Sequence, residues 1–507
     1  MSQLKKGAAL NYITIILTNL VGLLITPYMI RQLGNAEFGL YSLVGALVGY
    51  IAILDFGLGH TIIRFVAKYK AENDKKGEEN FLATTMAIYL FISIIVILIG
   101  AICNTNLEFI FQSSLNNLEL EKAKIMFIIL IFNLAIVLPG GAFDAILQGY
   151  EQFVFPKALN IIKYIVRSIM LVGILYFGGK AISIVILDTI MNMIIIVING
   201  FYVFKKLKVT FKLHKFETHF VKEIFKYSFW IFIFMIIAQF QWRSGQMVLG
   251  IISDTTSVAI FAVGIMLGGY YGAFSSAISS LFIPRATQMT VAKVSNEELT
   301  DMMIRVGRIS FISLIFILGA FLLFGKQFVF LWVGEAYYDA YIIALIIMFA
   351  YTVPLVQGFA NAILEARNML AFKALIYFVF LILGTILGAI LAKKYNAIGM
   401  ISGIVFGWFI CQNIMNIYYQ KTIGLNIIRF FNELFNKTIL GFVFSIIIGL
   451  LINQIPGFDW FNFIIKAVLF TLVFASVFYF YVVNNYEKEL VNNFLTKLKL
   501  ISKKNEK

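Results

Sequence analysis

The sequence predicts an all-α integral membrane protein of about fourteen transmembrane helices, arranged as two parallel six-helix lobes followed by a C-terminal helix pair. Three observations predict it. Fourteen apolar stretches of about 18 to 25 residues fill the chain, and at 1.5 Å per residue each covers a hydrocarbon core of roughly 30 Å. Lys and Arg crowd onto alternate connections between them. Landmarks of the first half also recur in the second. With 61% hydrophobic and 13% charged residues among 507, the chain has too little polar surface to coat a water-soluble globule.

The first six spans lie near 8–30, 38–62, 82–102, 125–147, 158–177 and 181–203. Span 1 carries Asn11, Thr14, Thr18, Gly22 and Thr26 three or four residues apart on one face, and Arg31 closes it. Span 2 holds Gly45 and Gly49 and runs into LDFGLG (54–59), where Gly57 and Gly59 loosen the helix. Span 4 contains Pro139, span 5 contains Lys163 and Arg167 one turn apart, and span 6 brings in Asp188 from the other side. The next six lie near 224–248, 257–283, 304–324, 340–362, 370–392 and 397–420. Span 7 carries Gln239, Arg243 and Gln246 on one face, and span 8 a ladder of Gly264, Gly268, Gly272, Ser275 or Ser276, and Ser279 suited to close packing. Pro354 in span 10 would kink its helix in step with Pro139 in span 4. Spans near 438–454 and 462–484 complete the set.

Of the Lys and Arg residues, 30 fall on the two termini and one alternate set of connections with the span ends beside them, 7 on the other set and four deeper inside spans. Basic residues are retained in the cytoplasm, so the asymmetry places both termini inside. The net charge of +15 sits mainly on those loops, where anionic leaflet lipid accounts for it without nucleic acid. Cys103 and Cys411 lie at or inside spans and give no disulfide framework or metal motif. The first stretch is span-length and lacks a small-residue cleavage site, which argues against a cleaved signal peptide. No phosphate-cradling loop and no Ser-His-Asp order is present, so neither ATP hydrolysis nor enzymatic chemistry is expected, and no cofactor.

Gly45 and Gly49 recur as Gly264 and Gly268, each 219 residues on. PGGAFDAILQGYEQFVFPKAL (139–159) reads against PLVQGFANAILEARNMLAFKAL (354–375): a proline, then Ala-Ile-Leu with an amide or carboxylate, then Lys-Ala-Leu. Spans 1–6 and 7–12 thus read as two copies of one unit, parallel because each holds an even number of spans. The divisions are 1–207 for the N-terminal lobe, 208–223 for a cytoplasmic linker, 224–421 for the C-terminal lobe and 422–507 for two further spans with a basic tail. The basic segment 205–223 reads as an amphipathic stretch on the membrane surface, with His214 and His219 too poorly spaced for a metal pair.

Charged groups inside lipid are costly enough to ask for a reason. Arg31, Lys163, Arg167, Gln239, Arg243 and Gln246 are the candidate substrate-binding residues, and Asp55 and Asp188 the candidates for coupling to a proton or sodium ion. Bland alternatives stand beside them. Arg243 can snorkel to the interface, Arg167 and Asp188 can form a structural ion pair, the span 1 stripe can bond between helices, and Asp55 can pair with Arg64 or His60. Asp144 and Glu365 read as loop-fixing.

RQLGNAEFGLYSLVGALVGYIAILDFGLG (31–59) resembles the opening of the polysaccharide transporter family, the O-antigen flippases of the Wzx type. Their superfamily also holds multidrug extruders and lipid II flippases. QGYEQF (148–153) is similar to the family's loop, with Glu151 and Gln152 where a basic residue is expected. The resemblance implies movement of an undecaprenyl-diphosphate-linked oligosaccharide between leaflets by alternating access. It also implies the lipid-linked glycan and membrane lipid as partners, together with a polysaccharide polymerase and a chain-length regulator. A cationic cleft would replace the hydration that such a head group loses. A drug or lipid II exporter of the same fold is the rival reading. A membrane polysaccharide polymerase is a third, set back by the lack of a sizeable outward loop.

Overall fold

The computed structural model describes residues 3–112, 114–215, 218–280, 282–367 and 369–489, and all their regular structure is helical. Twelve segments among the described residues are long and apolar enough to cross a membrane. The longest, Leu370–Ile423, is broken by non-helical backbone at Tyr395 and Asn396, where spans 11 and 12 were expected to meet. Packing divides the chain into two units, 1–262 with 377–404, and 263–376 with 405–507. The sequence division at 207 and 224 follows the repeat, whereas these units follow contacts.

Unit 1 begins with α1 (Gln3–Leu33) and α2 (Asn35–Ile51), joined by Gly34 alone. Its φ of 83° is open to a glycine and costly for other residues. After α2 come a single 3₁₀ turn, Ala52–Asp55, and then Phe56 and Gly57, both in the left-handed region, before α3 (Leu58–Glu72) resumes the span. Gly57 also admits Ile231, whose side chain takes the place where a Cβ would stand. Next are α4 (Lys75–Phe111), α5 (Asn117–Gly149), α6 (Val154–Tyr176), α7 (Ala181–Phe201) and α8 (Thr218–Ile252). Asn116 and Glu119 close a capping box at the start of α5.

Polar contacts lace the two ends of unit 1. At one end Glu37 accepts from Lys122 Nζ at 2.8 Å and from the Ala181 amide at 2.9 Å, Lys180 Nζ donates to Gln32 O at 3.0 Å, and Thr255 Oγ1 donates to Glu119 at 3.0 Å. At the other, Thr210 Oγ1 donates to Glu79 at 2.6 Å, His214 bonds the same carboxylate at 2.9 Å, and Tyr150 Oη donates to Glu78 at 2.6 Å. Alternate connections therefore meet at opposite ends, as a chain crossing back and forth requires. In the basic stretch after Lys206, residues 208–213 form no helix, and the chain is held to the start of α4: the Asn80 amide oxygen accepts from the backbone of His214 and Lys215, and Glu79 accepts from Thr210.

Unit 2 contains most of α9 (Thr255–Ser280), then α10 (Ile283–Val291), α11 (Asn296–Val333), α12 (Tyr338–Val356) and α13 (Gly358–Ala366). From α14 (Leu370–Tyr418) it takes the two ends, and it closes with α15 (Ile427–Phe435), α16 (Thr438–Asn453) and α17 (Trp460–Val477). A Cβ on Gly264, Gly268 or Gly272 would meet Ile343, Ile347 or Tyr351, and Ser275 Oγ donates to Leu355 O at 3.1 Å. These four rungs of the span 8 ladder thus sit on one stripe of α12 and pack there, while the side chain of Ser279 lies outside the described residues. α5 runs unbroken through Pro139, while span 10 breaks at Gln357, three residues after Pro354. Lys466, 4% exposed, reaches Gln327 Oε1 and Gly457 O, both at 3.4 Å, so its charge ends among carbonyls at the span boundary. The surface helix α15, with Ile427, Phe430 and Leu434 buried, was absent from the expected spans because nine residues are too few to cross.

Candidate functional site

The charged and amide groups of unit 1 gather on α2, α5, α6, α7 and α8. Arg243 of α8 donates from Nη1 to Gly45 O at 2.9 Å, and its stem lies over Gly49, where a Cβ would stand 2.9 Å from Cδ and Nε. Gly45 is ten residues into α2, roughly 15 Å along the helix, about half a hydrocarbon core. The guanidinium therefore turns toward α2 and bonds its backbone away from the helix end. Among the described residues no carboxylate pairs with it, and its neighbours are the phenols of Tyr50 and Tyr41. Tyr50 packs edge-on against Phe240 of α8, centroids 5.6 Å apart. One turn before Arg243, the Gln239 side-chain oxygen is buried without a hydrogen-bond partner. Such an acceptor costs about 1–3 kcal/mol until something donates to it.

Arg167 and Asp188 meet as a two-pronged pair, Nε to Oδ1 and Nη2 to Oδ2 at 2.9 Å, both half-buried. Tyr41 lies near enough to Arg167, Asp188 and Arg243 to interact electrostatically with all three. Lys163 donates to the Asn192 side-chain oxygen at 2.6 Å, and Asn192 donates onward to Asn133 at 3.1 Å. Three cations thus face one carboxylate, and the amides of Asn192 and Asn133 hold Lys163 without neutralising it.

Other expected residues lie elsewhere. Arg31 is exposed in the last turn of α1, and Gln246 is half-buried; among the described residues neither hydrogen-bonds to this set. Asp55 sits at the break in span 2 and accepts from Tyr89 Oη at 3.2 Å, so a phenol is its hydrogen-bond partner. The span 1 hydroxyls bond their own helix, Thr14 to Leu10 O, Thr18 to Thr14 O and Thr26 to Gly22 O, which removes them as an open polar stripe. The side chain of Asn11 lies outside the described residues. Sequence reasoning missed Tyr41, Tyr50, Tyr89, Asn133 and Asn192. An amide or phenol inside an apolar run was the available signal.

Unit 2 has its own buried amide set. Gln357, fully buried, bonds Gln412 and donates to Asn416 at 2.8 Å, and the Asn361 side-chain oxygen accepts from Lys373 and Tyr419, each at 2.8 Å. In the repeated segment Asp144 aligns with Asn361 and Lys157 with Lys373. Asp144 accepts from Gln148 at 2.7 Å and feels the charge of Lys157. In both segments a lysine of the following helix thus acts on the polar residue of the span, by a hydrogen bond at Asn361 and through its charge at Asp144.

Residues 4–290 match the family described as polysaccharide biosynthesis protein. A Shigella flexneri protein named "Putative O-antigen transporter" is 22% identical over 287 residues, 56% of this chain. The match spans 66% of that relative, just under two thirds of its length. Among solved structures, lipid II flippase MurJ in an inward closed conformation superposes with a TM-score of 0.71 at 16% identity, covering 93% of this chain and 98% of that one. An inward-facing multidrug resistance MATE family transporter of the MOP superfamily gives 0.60 at 14% identity, covering 80% and 94%. These likenesses are of fold. Matched by the family over more than half its length, and folded as those membrane transporters are, the chain belongs to the polysaccharide biosynthesis protein family.

Proposed function

We propose that this chain is a flippase that carries an undecaprenyl-diphosphate-linked oligosaccharide from the inner to the outer leaflet of the bacterial plasma membrane. Arg243 carries the reading. It is an arginine about half a hydrocarbon core deep, held by one backbone carbonyl, with no carboxylate partner among the described residues. A guanidinium so placed lacks the counter-charge that would balance its desolvation, and an arriving diphosphate supplies it by two-pronged hydrogen bonds. Lys163, held by an amide alone, extends the positive field beside the paired Arg167, and the Gln239 oxygen accepts from a sugar hydroxyl. A cation extruder would want the opposite sign. The lipid tail stays in the bilayer while the head group is exposed first to one side and then to the other. Proton or sodium coupling through Asp55 belongs to the same proposal, whereas Asp188 is engaged by Arg167.

The test is leaflet transfer of a lipid-linked oligosaccharide by purified protein in vesicles under imposed ion gradients. Acceleration by the natural chain and loss in Arg243→Ala is the expected result. No acceleration under any gradient would end the reading. Equal transfer of lipid II and of a lipid-linked repeat unit would favour the lipid II alternative that the fold permits.

A further inference from the structure

At the end of unit 2 where α11 begins and α17 ends, a cleft of about 620 Å³ opens between α11, α15 and the residues after α17. Four cations and three carboxylates line it. Arg308 is spent on Glu487 at 2.7 Å and on two carbonyls, and Arg429 bonds Asp301 and Glu433, each at 2.7 Å. All three carboxylates are thereby engaged. Arg305 and Lys437 remain, both exposed and, among the described residues, without a carboxylate partner; Arg305 rests over the Tyr486 ring at 5.3 Å. Lys437 is in an unfavourable place. It holds a left-handed backbone, φ 59°, as the N-cap of α16, with no side-chain cap on that helix. A cation there opposes the helix dipole, and an anion arriving at the amides would reverse the penalty.

A second, apolar hollow of about 620 Å³ runs on from this cleft, sharing Tyr481 and lined by Leu440, Phe444 and Phe480. These side chains are 49–80% exposed. Two cations beside an apolar groove at a span boundary are the pattern of an amphiphile with an anionic head. We propose that one anionic phospholipid binds here, its phosphate between Arg305, Lys437 and the first amides of α16, and an acyl chain along the α16–α17 groove. This lipid is a resident of the leaflet on that side, not cargo, and the proposal stands whether or not the chain is a flippase.

Native mass spectrometry of the full chain in detergent, titrated with dioleoyl phosphatidylglycerol or dioleoyl phosphatidylethanolamine, tests it. The expected result is one phosphatidylglycerol retained in preference, with Arg305→Glu and Lys437→Glu each weakening retention about fivefold, the effect of roughly one basic residue at a lipid surface. Phe480→Ser should weaken both lipids, and an unchanged melting temperature in all three variants separates lost binding from lost fold. Equal retention of the two lipids, or a preference that survives Arg305→Glu with Lys437→Glu, would mean annular contact only and overturn the site.

Discussion

Arg243 is supported by glycine, and that makes its position testable from two sides. Replacing it with Ala should cut transport roughly ten- to a hundredfold, the range for one hydrogen bond to a charged group, and Lys should restore part, since charge survives without the fork. Gly49→Val should mimic Arg243→Ala from the facing helix, because the new side chain takes the space of the Arg243 stem. Transfer assays on both variants at matched protein level check this, and full activity in Gly49→Val would separate the arginine's placement from its role. The arginine itself was legible in the sequence, since a lone charge in a span stands out. Its partner was not, because a carbonyl acceptor such as Gly45 O has no side-chain signature. The pairing of Arg167 with Asp188 could be read from their depths, whereas the bond from Lys163 to Asn192 depends on helix rotation that spacing leaves open.

Helices are where the repeat shows both its reach and its limit. Gly45 and Gly264 pair in the repeat read from the sequence, yet a Cβ on Gly45 meets nothing within 4 Å while one on Gly264 meets Ile343 at 2.5 Å. Gly264→Val and Gly268→Val should therefore destabilise unit 2 by about 1–3 kcal/mol each, and Gly45→Ala and Gly269→Ala should be tolerated. Thermal unfolding in detergent, followed by intrinsic fluorescence, checks the contrast. Helix existence was readable because apolar length is unmistakable. Helix integrity was less so. The break at Ala52–Gly57 was announced by its glycines, whereas the one at Gln357 and the short α15 depend on contacts far along the chain.

At the scale of the whole molecule, the proposal that both termini are cytoplasmic rests on the charge asymmetry, and a two-sided labelling experiment decides it. Single cysteines at Asn117 and Lys212, both exposed, should react with an impermeant reagent in intact cells at the first site only, in a background lacking Cys103 and Cys411. Equal labelling would refute the orientation. The two-lobe division into 1–207 and 224–421 is likewise a proposal, drawn from repetition in the sequence.

Glu37 gives the lacing of unit 1 an order in time. It leaves the ribosome 85 residues before Lys122 and 144 before Ala181, so the carboxylate at the head of α2 waits through several further spans before its amide partner arrives. A nascent chain halted at about residue 160 should hold its helices in the membrane without this clamp, and one released at 207 should have it. Protease resistance of the connection between α1 and α2 is expected to rise between those two lengths, which would make span 6 the step at which assembly of this end is sealed.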